Sequence, residues 1–173
     1  ASSLVGSEMC IRDRITEDHV VTFPHTLVVT GRNAQVSVVD YFQSDASAQG
    51  SWTIPVNELV AGPGSQLTYL ALQDLSDESR IIQLSHTSVA RDATAKSFIL
   101  NSGAAWVRQE SLSQLVGENS HSDMLSVSIA RDGQEYDQRT FQHTMPARKA
   151  TLTCSTRIRC MMRVGRFSLV LSW

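Results

Sequence analysis

The sequence predicts an all-β fold, a right-handed parallel β-helix, and three observations carry that expectation. Apolar and polar residues alternate on both sides of short turns, as in "HTLVVTGRNAQVSVVDYF". The turn residues Asn33, Gly64, Asp92 and Asn119 recur at intervals of 31, 28 and 27 residues. No stretch between Val20 and His143 sustains a helical period. A sandwich is the alternative. It would place turns every ~8–12 residues without a longer period.

Along the chain, Ser3 to Arg14 comes first, without a clear period and without an expected partner. Codons ctc gtg ggc tcg gag atg tgt ata aga gac encode its residues Leu4 to Asp13. That string resembles a transposon adapter used to prepare sequencing libraries. Residues 1–14 are therefore expected to be non-native and irregular. The first strand–turn–strand unit bends at Gly31-Arg32-Asn33, and the second, "NELVAGPGSQLTYLALQ", at Gly62-Pro63-Gly64. The third, "HTSVARDATAKSFIL", bends at Arg91-Asp92, and the fourth, "SQLVGENSHSDMLSVSI", at Gly117-Glu118-Asn119. Asn, Asp and Gly tolerate the left-handed backbone of such bends, and a small residue follows each: Ala34, Ser65, Ala93 and Ser120. Stacked units satisfy one another's backbone from rung to rung, which favours the solenoid.

Charge divides the chain. Thr144 to Trp173 carries six basic residues and no acidic one, while the chain as a whole has 15 basic and 17 acidic residues. An acidic body with a basic tail has the look of a nucleic-acid or membrane arm. Cysteine divides the chain in the same way, with Cys10 near the start and Cys154 and Cys160 in the tail. The body can form neither a disulfide framework nor a cysteine-rich zinc site. It has no apolar run of ~18 residues and no signal-peptide pattern, so a cytoplasmic protein is expected.

Candidate chemistry is sparse. His121-Ser122-Asp123 holds the residue types of a triad, but neighbours on a strand point to opposite faces and cannot converge. Gly62-Pro63-Gly64 lacks the lysine and helix of a phosphate loop and reads as a turn. His25 and His86 each precede a threonine and read as a repeated position at a rung corner, with ligands on one face as the alternative. Asp92, Asp123, Asp132 and Asp137 could line a groove, as in polysaccharide-cleaving β-helices, but read better as solvated turn residues. Trp52 and Trp106 are expected to pack at strand starts rather than stack on a ligand.

The stretch "EYDQRTFQH", Glu135 to His143, with "LVGENS" before it, resembles the SufB/SufD family, scaffold subunits of the Suf iron–sulfur cluster assembly machinery. The likeness runs from about Pro24 to His143, and its order and spacing favour the SufD branch. The resemblance implies a right-handed parallel β-helix and a non-enzymatic scaffold. It implies SufB-like and SufC-like partner subunits, with no nucleic acid and no membrane. It also implies a nascent iron–sulfur cluster carried by the intact complex. The family's proposed cluster ligands and docking segment lie downstream of the matched stretch. No catalytic, cofactor-binding or metal residue carries over to this chain, and no cofactor is expected in it. A carbohydrate-active or carbohydrate-binding β-helix is the alternative.

After His143 the family would continue with Ser-Asp-Leu-hydrophobic-Tyr-Lys-Asn. The codons of Thr151 to Trp173, read one frame over, permit that continuation, and the invariant codons of Met161 and Met162 force an aspartate further along it, after the Tyr-Lys-Asn. Residues 144–173 are thus expected to be a frame-shifted, irregular tail and residues 15–143 the β-helix core. On that reading Cys154, Cys160 and the tail's positive charge carry no function. If the tail is native, a basic-tailed binding module is the rival.

Overall fold

The computed structural model describes residues 7–45, 48–131, 133–145, 151–160 and 166–172, the last two stretches as backbone. All regular structure among them is strand. In chain order the strands are β1 (Ser7–Ile15), β2 (Val21–Thr22), β3 (His25–Val29), β4 (Gln35–Ser44) and β5 (Trp52–Thr53). They continue with β6 (Val56–Ala61), β7 (Gln66–Leu75), β8 (Arg80–Val89), β9 (Thr94–Gly103) and β10 (Trp106–Leu115). The series closes with β11 (His121–Ala130), β12 (Glu135–Thr144), β13 (Thr151–Cys160) and β14 (Arg166–Ser172). No helix among the described residues is long and apolar enough to cross a membrane.

The strands form two parallel sheets, and the chain passes from one to the other at each corner. The first sheet stacks β1-β4-β7-β9-β11-β13. The second stacks β14-β12-β10-β8, and β8 then pairs with both β5 and β6, which in turn pair with β2 and β3. Pro24 and Pro55 cause that split. Proline has no N–H for the ladder, so it interrupts the strand, but its carbonyl still accepts: Val56 N–H bonds Pro24 at 2.9 Å and Leu84 N–H bonds Pro55 at 3.0 Å. In the first sheet Gln35 pairs Gln66, Gln66 pairs Thr94, and Thr94 pairs His121. Those steps have the spacing of the turn residues, so the sequence repeat is one solenoid rung.

The predicted corner is present. Asn33, Gly64, Asp92 and Asn119 have φ of 55°, 68°, 58° and 55°. Each corner donates to the next: Asn33 N–H to Pro63 O at 2.9 Å, Gly64 N–H to Arg91 O at 2.9 Å, and Asp92 N–H to Glu118 O at 3.0 Å. Ser65, Ala93 and Ser120 are buried beneath them, since only a small side chain fits inside so tight a bend.

Alternate residues point inward. The core is apolar in part, with Val38, Phe42, Leu67, Ile81, Val89 and Leu115 fully buried, and polar in part. Gln83, Gln109 and Gln138 stack in register on the inner face of the second sheet. Asn101 Nδ2 donates to Gln109 Oε1 at 2.9 Å across the interior, and Ser113 bonds Ser122 at 2.7 Å. A solenoid permits this because stacked amides and hydroxyls find partners along and across the rungs.

The terminal segments correct the expectation of irregular ends. Ser7–Ile15 pairs in parallel with Val36–Ser44, and Thr151–Cys160 and Arg166–Ser172 pair with β11 and β12. The open edge of a sheet presents unpaired N–H and C=O groups, which any alternating segment can satisfy. "TLTCSTRIRC" and "RFSLVLS" both alternate.

Candidate functional site

The sequence candidates are distributed rather than converged. His121 and Asp123 meet on the outer face of the first sheet, Nε2 to Oδ1 3.0 Å, while Ser122 points inward to Ser113. The period-2 geometry therefore separates the serine from its neighbours, as expected. Gly62-Pro63-Gly64 is a corner turn. Of the aspartates, Asp92 is a turn residue and accepts from Asn119 Nδ2 at 2.9 Å. Asp123 and Asp137 lie within strands, contrary to the turn assignment, and on different sheets, so they share no groove. Asp132, Met161 and Met162 lie outside the described residues, and Cys154 and Cys160 are described in backbone only.

His25 and His86 do not repeat one position, and His86 is not at a corner. The register pairs His25 with Val56 and Val56 with Leu84, which leaves His86 two residues further along its strand. His86 bonds Gln114 at 3.1 Å, and His25 lies 3.5 Å from Glu58. No group of three or more His, Cys, Asp or Glu able to hold a metal occurs among the described residues. Trp52 and Trp106 pack together at strand starts as expected, ring centroids 6.1 Å apart and tilted 54°. Arg80 lies between them in register, 5.6 Å from the Trp52 ring, so that ring already has a cation partner.

The best-formed polar arrangement was not singled out from sequence. On the outer face of the second sheet, Arg108 and Glu110 of β10 stand beside Asp137 and Arg139 of β12. Register alternates their signs: Arg108 opposes Asp137, and Glu110 opposes Arg139. Arg108 bonds Glu110 at 2.6 Å and approaches Asp137 at 3.8 Å, and Arg139 reaches Asp137 at 3.3 Å. The charges cancel within the group. Beside it runs an open groove of about 270 Å³, lined by Val56, Leu84, Leu112 and Phe141, with Glu58, His86 and Glu110 at its rim. Its signal in the sequence is "RQE" at Arg108 to Glu110 and "DQR" at Asp137 to Arg139, one rung apart and of opposite order. It becomes visible only when the rungs are laid side by side.

One buried carboxyl is distinctive. Asp40 is fully buried and faces into the solenoid, where its Oδ2 accepts from Tyr69 at 2.9 Å and from Thr26 at 3.1 Å. Its Oδ1 has no partner. Burial pushes its pKa above the usual carboxylate range, the two hydrogen bonds oppose that, and the Asp13 charge adds to it. Burial, and then the facing Asp40, push the Tyr69 phenol up as well.

Among the described residues the site features thus supply a neutral charge lattice, an apolar groove and a buried acid, and no nucleophile is paired to a base there. A comparison with curated proteins finds no match. The family described as SUF system FeS cluster assembly, SufBD core domain, matches residues 13–155, nearly the whole of the two-sheet solenoid. The chain is a member of that SufB/SufD core-domain family and is tied through it to iron–sulfur cluster assembly.

Proposed function

We propose that this chain is the solenoid core of a SufD-branch scaffold subunit, without catalytic activity of its own. The observation that carries the reading is the family match over residues 13–155, which spans strands from both sheets. The order and spacing of "LVGENS" and "DQRTFQH" support the SufD branch within the family. In this reading the intact protein works in the cytoplasm with SufB-like and SufC-like subunits. The nascent cluster is cargo of that complex, the chain here contributes no ligand to it, and neither nucleic acid nor membrane is a partner. Residues 1–14 and 144–173 are, in the same reading, products of adapter sequence and of a shifted frame, and residues 15–143 are the native core.

Anaerobic incubation of the chain with ferrous iron and sulfide tests the scaffold reading. The expected result is no visible chromophore surviving desalting, and a stable chromophore would overturn it. Resequencing the source locus across the His143 codon tests the frame. A restored base that reads on through Tyr-Lys-Asn is expected, and an unchanged sequence returns Cys154, Cys160 and the tail arginines as candidates.

A further inference from the structure

The groove on the outer face of the second sheet runs across the strands, along the stack. Leu27, Glu58, His86, Leu112 and Phe141 form one outward column in register. Val56 and Leu84 stand in the column beside it. The ends of the first column are open to solvent, Leu27 at 59% and Phe141 at 43% exposure, and Leu84 beside them is at 36%. Contiguous exposed apolar surface of this kind marks an interaction site. Glu58 is the exception within it. Its outward neighbours along the strand are Val56 and Val60, Leu27 precedes it in register, and His25 Nε2 lies 3.5 Å from its carboxylate. An exposed pair of that length holds a carboxylate weakly. On the other flank Arg108, Glu110, Asp137 and Arg139 neutralise one another, so Glu58 is the charge that a covering partner must meet.

We propose that this groove docks an amphipathic α-helix of a partner protein, laid along the stack, with an apolar stripe interrupted by one lysine or arginine over Glu58. Backbone chemistry selects a helix. The strands beneath the groove already spend their N–H and C=O groups on the ladders of neighbouring rungs. An extended segment laid on this face would bury unpaired backbone groups, whereas a helix satisfies its own. The faces of parallel sheets are ordinarily covered by helices. Spacing agrees as well. Residues that repeat along one side of a helix rise about 5.3 Å per step, against about 4.8 Å per rung. Leu27 to Phe141 spans four rung steps, about 19 Å, which is about 13 helical residues. All regular structure among the described residues is strand, so they supply no such helix. Charge selects the basic residue, because an apolar stripe alone would bury the Glu58 carboxylate without an adequate partner. The assignment holds whatever part the chain takes in cluster assembly.

The test titrates the whole chain into a fluorescein-labelled, helix-stapled peptide and reads anisotropy. The peptide carries leucine at positions i, i+3, i+7 and i+14, lysine at i+10, and alanine and glutamine elsewhere. Saturable binding is expected. Glu58→Lys should weaken it about tenfold or more, and a peptide with glutamate in place of its lysine should recover the loss on that variant. Leu84→Lys should weaken both peptides, while Lys96→Glu on the other sheet leaves both unchanged. Modification of His25 by diethyl pyrocarbonate, mapped by mass spectrometry, provides a readout without mutation. It should slow as the peptide saturates, because His25 stands beside Glu58 and the helix covers it. Absence of saturable binding, or binding indifferent to Glu58→Lys, would overturn the proposal. So would self-association in sedimentation that is lost in Leu84→Lys, because a second copy would then be the occupant.

Discussion

Asn33, Gly64, Asp92 and Asn119 show how much one backbone angle decides. Each holds positive φ at the same corner, and the rungs bond to one another there. A β-branched residue in that conformation costs about 1–2 kcal/mol. Asn119→Val should therefore lower stability by that amount in urea unfolding, while Asn119→Gly stays within about 0.5 kcal/mol. Gly117 reports a different constraint: an added Cβ would run into the backbone of Arg91 on the rung before. These positions were readable in the sequence because Asn, Asp and Gly at fixed intervals have a local cause. Asp40 was not readable. "VVDYF" gives no sign that its aspartate faces inward, because that depends on which residues of the strand turn to the core. Its raised pKa means the native state holds the proton to higher pH than the unfolded chain does. Stability is therefore greatest below the ordinary carboxylate range and falls as pH rises through that range toward the folded value. Asp40→Asn keeps an acceptor for Tyr69 and Thr26 and removes the charge. It should stabilise the chain at pH 7. The gain should shrink toward pH 4, as read from urea midpoints at both pH values.

At the scale of strands, the alternation that marks each element also says which residues turn inward, but not that many of them are polar. Gln83, Gln109 and Gln138 occupy inward positions that a sequence reading would reserve for aliphatic side chains. They share one register column and are not equivalent. Gln109 accepts from Asn101 at 2.9 Å and donates to Ser111 at 3.3 Å, while the Gln83 Nε2 has no partner. Gln109→Ala removes partners from two buried groups and leaves a void, at a cost of about 2–4 kcal/mol. Gln83→Leu removes an unpaired donor at nearly constant volume and should be within about 1 kcal/mol of neutral. Thermal and urea unfolding of the two variants side by side checks the contrast. The terminal strands make the complementary point. Ser7–Ile15 has little pattern of its own, yet it is a strand because β4 offers it an edge.

In the whole molecule, each rung touches chiefly the rungs before and after it, so stability is a sum of neighbour terms and must decline toward the ends. Amide hydrogen exchange should show its strongest protection in β7, β8, β9 and β10, with faster exchange in β1 and β3 at one end and β13 and β14 at the other. Uniform protection along the stack would contradict neighbour-only coupling. The sequence by itself determined the fold class, the rung length, the corner residues and the absence of a triad at His121-Ser122-Asp123. These follow from local backbone preference and side-chain periodicity, which act within one rung. Only the tertiary structure decided what lies side by side. It separated His25 from His86 in register, put Asp123 and Asp137 on opposite sheets, and assembled the Arg108, Glu110, Asp137 and Arg139 lattice. The physical reason is register. A rung of 26 to 31 residues brings together side chains that are remote in the chain, and a shift of one residue would turn every one of them to the other face.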